Sequence, residues 1–170
     1  MISKNVRIFG GLPHFPAEMA ENGSFQNAWT EFFQSPDFIE TANKLTAQKL
    51  PITALGVIQF GSEKFIQWIG LDLTQCPKVR PDKWLSLELP AGSGVEAKEA
   101  NLGWQILPVE FSLQLVYNAA DKEQVVLPKM LGHSDKPYFI EEIEISADLA
   151  QVKEHRYFIY QGIEEEIFED

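Results

Sequence analysis

Val109-Glu110-Phe111-Ser112-Leu113-Gln114-Leu115-Val116-Tyr117-Asn118-Ala119-Ala120, continuing through Val126, decides the fold, and it reads in two ways. Phe111, Leu113, Leu115 and Tyr117 alternate as the residues of a strand do, whereas Phe111, Leu115, Ala119 and Val126 fall on one face of a helix. Pro108 before them suits a first helical turn. The length of the run favours a helix, but periodicity alone leaves both open.

The segments on either side read more simply. Downstream, Tyr138 to Ile145 and Arg156 to Gly162 are strands, separated from the ambiguous run by a loop containing Gly132, Asp135 and Pro137. Upstream, Leu55 to Phe60 and Phe65 to Leu73 alternate around Gly61-Ser62-Glu63-Lys64, which predicts an antiparallel hairpin. Trp84 to Leu89 resumes a strand that ends at Pro90-Ala91-Gly92, after a linker from Cys76 to Pro81. Ser24 is placed to cap a helix whose Phe25, Ala28, Trp29 and Phe32 line one side, with Pro36 as its end. Val6 to Phe9 is a short strand, broken by Gly10-Gly11-Leu12-Pro13.

Charge narrows the partners. With 25 acidic and 14 basic side chains in 170 residues, the net charge is −11. No basic stripe exists to engage phosphates, so direct nucleic-acid binding is not expected. One cysteine, Cys76, excludes a disulfide framework and multi-thiolate zinc sites, and it fits a reducing cytoplasm. No stretch reads as a signal peptide or a membrane span, so a cytoplasmic protein without a membrane partner is expected. Glu164-Glu165-Glu166 with Glu169 and Asp170 reads as an acidic tail.

Standard catalytic signatures are missing. Gly56 to Gly61 has phosphate-loop spacing, but Ser62-Glu63 stands where Lys-Ser/Thr is required. His14, His133 and His155 are scattered, and no metal site or cofactor is expected. Ser93 lacks the surroundings of a nucleophile elbow. The informative feature is Glu141. In Tyr138-Phe139-Ile140-Glu141-Glu142-Ile143-Glu144-Ile145, alternation puts Glu141 on a face with Phe139, Ile143 and Ile145. A carboxylate in such company is costly unless it is paired, protonated or facing a wet cavity. Among the aromatics, Trp68 shares its face with Gly70 and Asp72, and a large ring beside a glycine borders open space. Trp68 and Glu141 are therefore expected to line one pocket, with Trp29 and Tyr160 as further candidate ligand-binding residues.

The order of these elements and several strings resemble the gyrase-inhibitor-like effector-binding domain, which also occurs as the ligand-binding part of AraC-type and MerR-type transcription regulators. Ser24 to Phe33, with Trp29 and the Phe32-Phe33 pair, is similar to that family's first helix. Leu55-Gly56-Val57 to Phe60 and Trp68-Ile69-Gly70-Leu71-Asp72-Leu73 resemble two of its strands, and Leu87-Glu88-Leu89-Pro90-Ala91-Gly92 resembles the segment that opens its second half. Leu127-Pro128, Gly132-His133 and Pro137 to Glu141 are similar to a further stretch. Two departures stand out: Gly92-Ser93-Gly94 replaces an aromatic, and the family's Phe-Glu pair is split here by Ile140.

The resemblance implies an α+β fold of two βαββ halves related by a pseudo-twofold axis, with an antiparallel sheet and two principal helices, the second within Val109 to Val126. It implies one effector-binding-like domain with a first half of about 1–76, a second of about 77–163 and the tail 164–170, and a ligand groove between the halves. The expected function is a freestanding binding module that senses or sequesters a small amphipathic aromatic compound, with cations favoured by the negative charge and by Glu141. The alternatives are a hydrolase of electrophilic compounds using Glu141 as base, and a protein-binding module directed at a topoisomerase or a regulator.

Overall fold

In the computed structural model, which describes residues 1–60, 65–128 and 138–162, Val109–Glu123 is a helix. Its buried stripe is not the expected one. Ser112, Val116 and Ala120 face inward, while Phe111 and Val126 are 66% and 65% exposed. The helix is turned so that its smaller residues meet the sheet. Pro108 is the residue before the first turn, and the chain leaves through Gln124 in a left-handed conformation.

Eleven helices and strands run along the described residues: β1 (Ile2–Lys4), β2 (Arg7–His14), α1 (Gln26–Gln34), α2 (Pro36–Ala47), β3 (Ile52–Phe60), β4 (Phe65–Asp72), β5 (Leu85–Leu89), β6 (Gly92–Glu99), α3 (Val109–Glu123), β7 (Tyr138–Ile145) and β8 (Val152–Tyr160). The eight strands form one curled antiparallel sheet in the order β1-β6-β8-β7-β3-β4-β2-β5. From its middle outward, β3-β4-β2 on one side mirrors β7-β8-β6 on the other. Each half follows a βαββ plan, β6 to β8 with one helix and β2 to β4 with two in its place, and the two meet where β3 pairs with β7. The leading strand of each half crosses to the other, β1 onto β6 and β5 onto β2.

The strands β1 and β6 are unexpected, and three further elements differ from expectation. Pro36 ends α1 but also starts α2, because Ser35 accepts a hydrogen bond from Phe38 N and Pro36 needs no partner at the first helical position. The first half therefore has two α-helices, and the described residues three. Gly10 to Pro13 does not break the first strand. A Cβ on Gly11 would lie 2.2 Å from the Ile69 carbonyl oxygen, and one on Gly70 would lie 2.0 Å from that of Gly10. Those glycines let β2 and β4 approach at a bend, and Pro13 sits beyond the end of β5, where its missing N–H is harmless. The strand β8 begins at Val152, four residues earlier than Arg156, after a turn in which Asp148 accepts from Ser146 and from Ala150 N.

Both sheet faces are buried. α1 and α2 cover Ala54, Ile69, Leu71 and Ile143, and α3 covers Ile58, Val95, Phe139, Tyr157 and Ile159. The opposite face holds Phe9, Leu55, Val57, Trp68, Ile140, Phe158 and Tyr160 inside the curl. Among the described residues no helix is long and apolar enough to cross a membrane. The turn Gly61-Ser62-Glu63-Lys64, the loop with Gly132, His133, Asp135 and Pro137, and the acidic tail Glu164 to Asp170 lie outside the described residues.

Candidate functional site

Gly56 and Glu141 pair directly across the β3–β7 contact, and Glu141 pairs with Tyr157 on its other side. This row crosses the junction of the two halves on the face covered by helices. Because Gly56 has no side chain, other groups converge over it. A Cβ there would lie 2.8 Å from Trp29 Cζ2, 2.9 Å from Gln67 Nε2 and 3.4 Å from Glu141 Oε1. The space that remains is a cavity of ≈ 10 Å³, closed by Phe25 and Trp29 from α1 and by Ile106, Leu107, Val109 and Ser112 from the segment entering α3. That is room for about one water molecule.

Polar atoms at the cavity and next to Glu141 are poorly satisfied. Trp29 Nε1, Glu141 Oε2, His155 Nδ1 and the Tyr157 hydroxyl are all buried without a hydrogen-bond partner. His155 is 1% exposed and lies diagonally from Glu141, with Nδ1 3.7 Å from Oε2. Its other nitrogen, Nε2, is 2.7 Å from the Gly103 carbonyl and must donate to it. Burial works to lower the His155 pKa, but the Glu141 carboxylate, the Gly103 carbonyl and the Glu99 carboxylate outweigh it and hold it above the usual value. Burial, with the charges of Glu141 and Glu99, pushes the Tyr157 hydroxyl up, so it stays protonated.

The segment over the cavity is fastened to α1. Gln26 accepts from Ile106 N at 2.7 Å through Oε1 and donates to the Trp104 carbonyl at 3.2 Å through Nε2. Val109 N donates to the Gly23 carbonyl at 3.1 Å. Outside this strap, Met19, Phe60, Phe65, Val109 and Phe111 border an open groove of ≈ 700 Å³. Val109 lines both spaces and separates them.

The four candidate residues divide between the faces. Glu141 and Trp29 meet at the cavity, and Glu141 has its expected facing beside Phe139 and Ile143. Trp68 and Tyr160 lie on the opposite face, so Trp68 and Glu141 do not share a pocket. Trp68 is 9% exposed, packs edge-on to Phe9 at 6.2 Å and donates to Gln59 at 3.3 Å. The opening expected beside Gly70 is filled by the backbone of Gly10 and Gly11. Tyr160 donates to the Pro90 carbonyl at 2.6 Å and packs edge-on to Phe158.

His155, Tyr157, Gln67 and Gly56 escaped the sequence reading. Starting the last strand at Arg156 left His155 in a loop and hid its diagonal relation to Glu141. Counting back from the Asp148 turn would have found it. Glu142, one residue on, faces the other way, toward Lys4, Arg7 and Arg156. Among the described residues, no three His, Cys, Asp or Glu side chains are grouped to hold a metal ion.

No family model and no curated protein matches this chain. A solved structure from Staphylococcus aureus MU50, called "Putative bacterial transcription regulation protein", is similar over 95% of this chain and 96% of that one, with 9% identity and a TM-score of 0.45.

Proposed function

We propose that this chain is a small-molecule-binding module of the gyrase-inhibitor-like, regulator-associated kind, with its ligand seated between the halves over Gly56 and Glu141. The observation that carries this reading is a buried carboxylate oxygen, Glu141 Oε2, without a hydrogen-bond partner at the cavity over Gly56, with the unpartnered His155 Nδ1 3.7 Å from it and Tyr157 its neighbour on β8. Buried polar groups in a folded protein are nearly always satisfied, so such a cluster marks a place where another molecule completes the set. The two βαββ halves agree with what the sequence resemblance implies. The ligand class is an aromatic cation: the carboxylate supplies the charge partner, and Trp29 and Phe25 supply ring faces and edges. Entry requires release of the Gln26 strap and movement of Val109, which stands between the cavity and the outer groove, because the cavity admits about one water.

Isothermal titration with benzyltrimethylammonium tests this reading. Saturable binding that is lost when Gly56 is replaced by a larger residue supports it. Binding unchanged by Gly56 and Glu141 substitutions places the ligand elsewhere.

A second reading keeps the same residues. A water held beside Glu141 is the arrangement a carboxylate base needs to hydrolyse an electrophile. Turnover by the wild type that Glu141→Gln abolishes would favour a hydrolase; binding without turnover favours the module.

A further inference from the structure

His155 meets the Glu141 carboxylate and the Gly103 carbonyl at once, and the two contacts fix its proton arrangement. The carbonyl can only accept, so Nε2 carries a hydrogen. Nδ1 is then the atom that faces Oε2 of Glu141, at 3.7 Å. In a neutral ring that nitrogen would turn a lone pair toward a carboxylate inside a buried site; with a proton it becomes the counter-charge. The titratable and charged groups facing it are Glu141 on β7, Glu99 opposite it on β6 and Tyr157 two residues along β8, while the strap contributes the Gly103 carbonyl. Those carboxylates favour the charged ring.

Resting on the binding reading above, we propose that the His155 imidazolium is the resident counter-ion of Glu141, and that a cationic ligand occupies the site in exchange for the His155 proton. The Nδ1–H bond breaks, the proton passes to solvent and the ligand's charge replaces it beside the carboxylate. Nε2–H stays on the Gly103 carbonyl, so His155 remains beside Glu141 as a neutral ring. A neutral ligand of the same size displaces no proton. The site therefore selects its ligand's charge by pH: cation affinity is full above the pH at which His155 gives up its proton in the free protein and falls away below it.

Titration calorimetry on the wild-type protein tests the exchange, with benzyltrimethylammonium as the cation and benzyl alcohol as the neutral probe, each in buffers of different ionisation enthalpy. Below the pH at which His155 gives up its proton in the free protein, about one proton is released per cation bound, and affinity rises about tenfold per pH unit before levelling off. Benzyl alcohol releases none. In His155→Gln, which retains an amide donor for the Gly103 carbonyl, cation affinity is flat with pH. Cation binding to the wild type with no proton release overturns the exchange and leaves the binding reading intact. Binding of neither probe overturns both. Imidazole NMR of the unliganded protein checks the ion pair without a ligand: the His155 resonances titrate at lower pH in Glu141→Gln than in wild type, and an unchanged titration overturns the pairing.

Discussion

Glu141 and Glu142 are consecutive on β7 and stand on opposite faces of the sheet, in opposite electrostatic company. Glu142 meets three cations, Lys4 at 2.8 Å, Arg7 at 3.2 Å and Arg156 at 3.5 Å. Among the described residues, Glu141 has one partner that can take or lose a charge, at 3.7 Å. The first arrangement is a fixed ion cluster that joins both halves and the edge strand β1. The second leaves a carboxylate whose partner can be exchanged.

Removing the Glu142 charge is expected to destabilise the fold strongly. Glu142→Gln leaves the buried Arg7 and the half-buried Lys4 with less to neutralise them, a loss of about 3 to 5 kcal/mol in urea unfolding. Burial works to raise the Glu142 carboxyl, but Arg7, Lys4 and Arg156 outweigh it and hold its pKa below the ordinary value. Its stabilisation is therefore complete above the unfolded carboxyl pKa and lost as pH falls through the lower folded one. A urea series on the acid side should show this loss in the wild type and not in Glu142→Gln.

The opposite sign applies to His155. Its folded pKa is raised, so its contribution to stability is full below the unfolded imidazole pKa and lost as pH rises through the folded one. Glu141→Gln should flatten that loss on the neutral-to-alkaline side while leaving the acid-side behaviour from Glu142 in place.

Filling the cavity should separate binding from folding. Gly56→Ala places a methyl group 2.8 Å from Trp29 Cζ2 and 2.9 Å from Gln67 Nε2, and overpacking of this kind costs roughly 1 to 3 kcal/mol. The variant should still unfold in one cooperative step but no longer bind benzyltrimethylammonium. Trp29→Ala, by contrast, removes a fully buried ring and should cost about 3 to 5 kcal/mol.

The strap predicts a local effect. Gln26→Ala removes both of its hydrogen bonds to the segment above the cavity, a loss of about 1 kcal/mol for each bond. Amide exchange at Ile106 should accelerate far more than exchange in the central strands. Equal acceleration everywhere would mean that the strap opens only when the whole domain unfolds.

Much of this arrangement is legible in the sequence wherever one strand or helix decides it. Alternation in Tyr138 to Ile145 puts Glu141 among core residues, and the stripe of Phe25, Ala28, Trp29 and Phe32 is buried as the helical spacing requires. What escaped depends on pairing between segments. The backbone beside Trp68 comes from β2, the partner of Glu141 comes from the register of β8, and the inward side of α3 follows how closely it can approach the sheet. Pro36 shows a further reason: the same residue that stops one helix starts another, and only the Ser35 hydroxyl in front of it distinguishes the two.

The central claim is that the ligand engages the Glu141 charge on the helix-covered face of the sheet. Calorimetric affinities of wild type and Glu141→Gln for benzyltrimethylammonium and benzyl alcohol, at a pH where the wild type binds the cation fully, test it most directly. Glu141→Gln should weaken the cation by roughly 1 to 3 kcal/mol and leave the alcohol nearly unchanged. Equal weakening of both probes would contradict the account and make Glu141 a residue of structure alone.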